Sequence, residues 1–111
     1  MINYFELLEK NKELFENAMN IAREIAVKAK EIFKDCEVYI TGSYAKKTHT
    51  LSSDLDILIT STKIPEKINF QWYYEVVKTL TKDHRINIHL LNKKKLKNYK
   101  KIYTPMIKIT S

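Results

Sequence analysis

The chain has 111 residues, of which 44% are hydrophobic and 30% charged, and its formal net charge is +7. This length suits one domain with a modest core, which we place at residues 1–111, and it excludes a catalytic domain joined to a separate substrate domain. The positive charge favours an anionic partner such as a nucleotide or nucleic acid. The single cysteine excludes an internal disulfide. No apolar run approaches the ~20 residues that cross a bilayer.

The N-terminal third of the chain predicts helix. Its first six residues lack the basic and apolar regions of a secretory signal, so we expect a cytoplasmic protein. Over residues 4–33, apolar side chains recur at spacings of three and four, with lysine and glutamate between them. This pattern is typical of an amphipathic helix. We therefore predict one long helix and place any break near Asn11.

The middle of the chain predicts two strands and a second helix. Residues 37–41 are rich in β-forming side chains, and residues 55–60 form a second apolar strand. In this second strand, odd-numbered residues face one side of the sheet and even-numbered residues face the other. A helix is expected from Pro65, because proline suits the first helical position, through Leu80.

The C-terminal third predicts one more strand and a basic segment. Residues 85–91 alternate as a third strand, and the lysine-rich residues 93–101 suit one or two helical turns. Residues 106–110 either pair at a sheet edge or stay loose. The order helix, strand, strand, helix, strand indicates an α/β (α+β) fold, with a small mixed sheet and helices packed on one face.

Gly42 is the chain's one glycine, and it follows the first predicted strand. A glycine at such a point indicates a backbone with φ > 0 or a close approach to a ligand. Ser43 comes next, and a strand that ends in Gly-Ser before a helical turn directs backbone N–H groups and a hydroxyl towards an anion. The pattern therefore favours a cradle for phosphate groups.

Asp54 and Asp56 form a carboxylate pair at the start of the second strand. Residues two apart on a strand point to the same side, about 6.5–7 Å from each other. With no basic residue between them, these carboxylates would repel unless a cation lay between them. Magnesium suits such a pair, because it binds one or two carboxylates and takes its other ligands from water and substrate phosphates. Together with the cradle, the pair predicts metal-assisted displacement at a nucleotide phosphorus.

Gly42-Ser43, followed after ten residues by Asp-Leu-Asp56, resembles the signature of the DNA polymerase beta nucleotidyltransferase superfamily. The short chain is most similar to the minimal nucleotidyltransferase branch. This resemblance implies a nucleotidyltransferase-like core over nearly the whole chain, although the motif itself occupies only residues 42–56. It also implies an enzyme that transfers a nucleoside monophosphate to a hydroxyl acceptor. AMP, taken from ATP, is the favoured group.

The resemblance implies roles for the residues around Gly-Ser. Gly42 and Ser43 would bind the nucleotide phosphates. Family members often carry a basic residue shortly afterwards, and Lys46 or Lys47 would supply it. A solvated loop position is the alternative for each lysine.

The resemblance also makes Asp54 and Asp56 the catalytic ligands of two magnesium ions, but the chain departs from the family at the third acid. Active members usually place another carboxylate on the following strand, where this chain has Asn87 and His89. Three accounts stay open. His89 substitutes as ligand or proton acceptor, Asp83 reaches in from the preceding loop, or the site binds nucleotide without turning it over.

The acceptor is the remaining open point. In the minimal branch, the motif resembles that of antitoxins that transfer AMP onto a HEPN-type toxin ribonuclease, so we expect such a protein partner. The alternative is a catalytically degenerate module that binds a partner protein or nucleic acid. An RNA-end nucleotidyltransferase that acts alone is a third reading. A chain of this size also suits dimerisation or a hetero-complex, and the sequence does not rank these two.

Overall fold

The computed structural model describes residues 3–110. Met1, Ile2 and Ser111, which the predicted domain 1–111 includes, lie outside the described residues. Between residues 3 and 110 the chain forms five α-helices, one 3-10 turn and four strands. In chain order these are α1 Tyr4–Glu16, α2 Ala18–Phe33, β1 Glu37–Thr41, α3 Gly42–Ala45, β2 Leu55–Ser61, α4 Phe70–Leu80, β3 Ile86–Asn92, the 3-10 turn Lys93–Lys95, α5 Leu96–Tyr103 and β4 Ile107–Lys108.

The four strands form one mixed sheet in the order β3-β2-β1-β4. β2 is parallel to β3 and antiparallel to β1, and β1 is antiparallel to β4. The parallel pair needs a crossover, which the segment containing α4 supplies. The predicted fold class is confirmed, because a small mixed sheet is combined with helices in the predicted order.

The apolar core lies between the sheet and helices α2 and α4. Along α2, Ala22, Ala26 and Ala29 are almost completely buried. Their small side chains allow the helix to approach the sheet closely. From the sheet, the core receives Ile57 and Ile59, both with no exposed surface. The alternate side chains of β2 and β3 are thereby left for the opposite face.

The structure divides the predicted helix of residues 4–33 at Asn17, so the expected break near Asn11 is wrong. The amide group of Asn17 donates a hydrogen bond to the carbonyl of Glu13 at 2.9 Å, and its backbone has φ −103° and ψ 11°. A side chain that bonds back to a helix carbonyl competes with the next helical turn. Among the described residues, no helix is long and apolar enough to span a membrane.

The predicted helix from Pro65 begins instead at Phe70. Asn69 caps it, because its side-chain oxygen accepts hydrogen bonds from the backbone N–H groups of Gln71 at 2.7 Å and Trp72 at 3.2 Å. Such a cap satisfies donors that the first turn of a helix otherwise leaves free. The capping side chain therefore set the boundary, and the proline lies in the preceding loop.

The C-terminal segments follow the sequence expectations. The lysine-rich residues 93–101 form the 3-10 turn and most of α5. Of the two alternatives for residues 106–110, pairing at a sheet edge is confirmed. Ile107 pairs with Ile40 and Lys108 pairs with Tyr39, so β4 extends the sheet beyond β1.

Candidate active site

Polar side chains of three strands meet on the face of the sheet opposite the core. Asp56 lies between two fully buried residues of β2 and therefore points to this face. Its register partners are Thr41 on β1 and Asn87 on β3. His89 follows two residues later on β3, on the same face. The strand register thus places four polar side chains in one group.

Asn87 brings the two predicted carboxylates together. Its Nδ2 atom lies 3.3 Å from Oδ2 of Asp54 and 3.4 Å from Oδ1 of Asp56. Nε2 of His89 lies 3.2 Å from the same Oδ1 atom of Asp56. The side chain of Asp56 is 25% exposed and that of His89 38% exposed, so the group is open to solvent and to a ligand.

Gly42 adopts the positive φ that the sequence predicted, with φ = 69°. A Cβ atom at this position would overlap Oδ2 of Asp56 and would lie 2.9 Å from its Cγ atom. The close approach is therefore to a side chain of the site itself. Ser43 follows as the second residue of α3 and is half-buried. The predicted phosphate-binding residues and the carboxylate pair are direct neighbours.

The two predicted lysines lie at the edge of this group. Lys46 ends α3, where its backbone N–H bonds to the carbonyl of Gly42, and Lys47 has φ = 60°. Both side chains are exposed. Within the described chain, neither forms a hydrogen bond or ion pair with the carboxylates. Their proposed role therefore depends on a ligand that would bring phosphate groups within reach.

Asp83 does not join the site. Its carboxylate accepts hydrogen bonds from the Arg85 guanidinium at 3.0 and 2.7 Å and from the Arg85 backbone at 2.9 Å. These bonds hold the pKa of Asp83 below its usual value. The account in which Asp83 replaces the third acid has no support from this arrangement, because its oxygens are already engaged elsewhere.

Tyr103 and Thr41 border the site and were missed in the sequence. The ring of Tyr103 packs edge-on against His89, with 5.5 Å between ring centroids, and burial raises the pKa of its phenol. The Thr41 hydroxyl donates a hydrogen bond to the Tyr103 carbonyl. Tyr103 ends a lysine-rich helix whose local pattern indicates only surface. The local pattern of that helix carries no signal for the contact between Tyr103 and His89 of β3.

The donor set fits a divalent cation only in part. The two carboxylates are the hard oxygen ligands that magnesium prefers, whereas the His89 nitrogen is a poorer ligand. Asn87 directs its Nδ2 atom, which is not a metal ligand, towards both carboxylates. Asp54 and Asp56 both contact one nitrogen atom, so their oxygens converge on a common space. Among residues 3–110, however, no three His, Cys, Asp or Glu side chains are grouped to hold a metal ion.

Comparisons with known proteins identify a family and a similar fold. Residues 22–110 match the sequence model of a family described as "Nucleotidyltransferase domain". A crystal structure of a candidate nucleotidyltransferase from Sulfolobus solfataricus is similar in fold, with a TM-score of 0.59 and 24% sequence identity. The similarity covers 92% of this chain and 84% of that one. No curated protein matches the sequence significantly.

Proposed function

This chain belongs to the nucleotidyltransferase domain family, and from that premise we propose that it transfers AMP from ATP to a hydroxyl acceptor in a magnesium-dependent reaction. The resemblance seen in the sequence is thereby confirmed at the level of the family. The acceptor oxygen would bond to the α-phosphorus while the bond to the β-phosphate breaks, and pyrophosphate would leave. We further propose that residues 1–111 act as one cytoplasmic domain, and that the acceptor hydroxyl belongs to a partner protein of the HEPN toxin type.

The observation that carries the proposal is the contact between Gly42 and Asp56. The backbone of Gly42 lies so close to the Asp56 carboxylate that there is no room for a side chain at position 42. The neighbours of this carboxylate are Asp54, Asn87 and His89. Phosphates held at the Gly-Ser turn would therefore lie beside the carboxylate pair. This juxtaposition supports phosphoryl chemistry more specifically than either motif alone.

Each residue would act on the reactants in a distinct way. Gly42 and Ser43 would orient the triphosphate through backbone N–H groups and a hydroxyl. Asp54 and Asp56 would hold magnesium, which supplies charge neutralisation at the phosphates and activation of the attacking hydroxyl when it is bound. His89 would accept the acceptor's proton through a ring nitrogen that does not donate to Asp56.

The basic residues would contribute to binding. Lys46 and Lys47 have exposed side chains close to the Gly-Ser turn and would screen the charge of the triphosphate. The net charge of +7 also favours anionic ligands in general. An acceptor carried by a separate protein suits a chain whose described residues form one apolar core on a single four-stranded sheet.

A second function is favoured by one observation. Asn87, not an acid, stands opposite Asp56 in the register of β2 and β3. A nucleotidyltransferase fold without its third carboxylate suits a module that binds nucleotide, nucleic acid or a partner protein without catalysis. The two functions share the nucleotide site and differ in turnover.

Calorimetric titration with ATP, GTP, CTP and UTP, each with and without magnesium, tests the proposed function. Magnesium-dependent binding that is tightest for ATP is the expected result. The candidate HEPN-type partner would then be incubated with this chain and ATP labelled at the α-phosphate. Label on the partner supports transfer, and binding without label supports the second function. No binding of any nucleotide contradicts the proposed transfer and leaves the module that binds a partner protein or nucleic acid.

Asn87→Asp should strengthen divalent-metal binding by about tenfold, because it adds a third carboxylate within reach of Asp54 and Asp56. Titration with Mn2+, followed by electron paramagnetic resonance, measures the change. Asn98→Asp provides the matched control, since Asn98 is exposed on α5. Equal affinities in the wild type and Asn87→Asp would show that this position does not face the bound cation.

A further inference from the structure

Helix α1 lies outside the segment that matches the family, because the match begins at residue 22. Most of its residues are exposed, but Asn11 is only 7% exposed. A buried amide side chain usually has hydrogen-bond partners, because leaving its polar atoms unpaired is costly. The partners of Asn11 are two segments that are distant in sequence.

Asn11 uses both ends of its amide. Its Nδ2 group donates a hydrogen bond to the carbonyl of Leu51, which is 40 residues away in the chain. Its Oδ1 atom accepts a hydrogen bond from Nη1 of Arg85 at 3.0 Å, over a separation of 74 residues. One side chain thus joins α1 to the loop before β2 and to the start of β3.

Arg85 completes a closed ring of contacts. Its backbone carbonyl accepts a hydrogen bond from the N–H group of Leu55 at 2.9 Å, and its guanidinium is fixed by Asp83. Leu51 is therefore tethered through Asn11, and Leu55 through Arg85. Asp54 lies between these two tethered points.

Asp54 needs such support because little else fixes it. It is exposed, and within residues 3–110 its carboxylate has one hydrogen bond, at 3.3 Å, to Asn87. The preceding turn is stabilised locally, since the backbone N–H of Ser53 donates to the Thr50 carbonyl at 3.0 Å. A turn that is rigid within itself can still move as a unit if its anchor is lost.

We propose that Asn11 is a positioning residue, which places the Asp54 carboxylate for metal binding by tethering the Leu51 carbonyl to Arg85. The inference rests on the proposed function, in which Asp54 holds a divalent cation. It gives α1 a role in the active site although no residue of α1 contacts the carboxylates. Outer partners of this kind usually change metal affinity by about 10–100-fold when they are lost.

Two substitutions separate the two hydrogen bonds of Asn11. Asn11→Ala removes both of them. Asn11→Asp keeps an oxygen acceptor for Arg85 and replaces the donor to Leu51 with an oxygen that repels its carbonyl, so it breaks the Leu51 contact and retains the Arg85 contact. Asn20→Ala is the matched control, since Asn20 is an exposed helical asparagine whose side chain bonds only to Arg23 in the described chain.

Hydrogen exchange and Mn2+ affinity are the two measurements. Asn11→Asp should raise amide exchange in residues 51–55 about tenfold, while exchange in the core residues 57–59 stays as in the wild type. The Mn2+ dissociation constant should rise about tenfold in parallel. Asn11→Ala should show at least the same local effects, and Asn20→Ala should show neither.

The outcomes distinguish this inference from the proposed function. Unchanged exchange in residues 51–55 of Asn11→Asp would overturn the positioning role, as would a uniform rise across the sheet with unaltered Mn2+ affinity. A wild-type protein that binds no Mn2+ would contradict the proposed metal site. In that case the hydrogen-exchange data would still show whether Asn11 fixes residues 51–55, because they do not depend on metal binding.

Discussion

Asp56→Asn should lower kcat/KM for nucleotidyl transfer by about a thousandfold, with the fold preserved. Asp56 is the residue on which the site converges, since it contacts Asn87 and His89 and lies against Gly42. Asparagine has nearly the same shape as aspartate but lacks the charge that binds a cation. Transfer of label from ATP to the acceptor measures the loss, and thermal unfolding checks the fold.

Glu37→Gln is the matched control for this experiment. Glu37 is also a strand carboxylate of the same sheet, but it accepts a hydrogen bond from Tyr39 and lies 3.8 Å from Lys108, away from the site. Its neutralisation should leave transfer within about twofold of the wild-type value, because exposed ion pairs contribute little. Retention of a tenth or more of the activity in Asp56→Asn would contradict the assigned role.

Gly42→Ala should destabilise the protein by about 2–5 kcal/mol and strongly reduce nucleotide binding. An alanine at φ = 69° adopts a conformation that L-residues disfavour, at about 1–2 kcal/mol. Its Cβ atom would also overlap the Asp56 carboxylate, and overpacking of this kind costs about 1–3 kcal/mol. Urea unfolding measures the stability change, and calorimetry with ATP measures binding.

A double-mutant cycle separates the two causes. An Asp56→Ala background removes the Oδ2 and Cγ atoms that overlap the added Cβ and leaves only the Cβ of residue 56, at 3.1 Å. Gly42→Ala should there cost about half as much, with the backbone strain remaining. Ser43→Ala, at the next position, should change stability by no more than about 0.5 kcal/mol. Equal costs of Gly42→Ala in both backgrounds would show that the carboxylate is not the obstacle.

The strands were predictable because their signal is local. Alternating or continuous β-forming residues define β1, β2 and β3 to within one residue of their observed ends. Helix ends were less predictable. The boundaries at Asn17 and Asn69 depend on hydrogen bonds between one side chain and the backbone, and the periodicity of apolar residues does not report these bonds.

The sequence by itself determined the fold class and the motif, because the Gly42-Ser43 turn and the Asp54/Asp56 pair are set by the spacing and chemistry of neighbouring residues. The resemblance also indicated that Asn87 and His89 stand on the strand where active members usually place a third acid. Only the tertiary structure decided which residues surround the pair. The Asn87 and Asp54 side chains meet across 33 residues of chain, and Asn11 reaches Leu51 and Arg85 across 40 and 74 residues. Such contacts depend on strand register and helix docking, which are fixed by packing of the whole core, whereas turn and strand preferences act over a few residues.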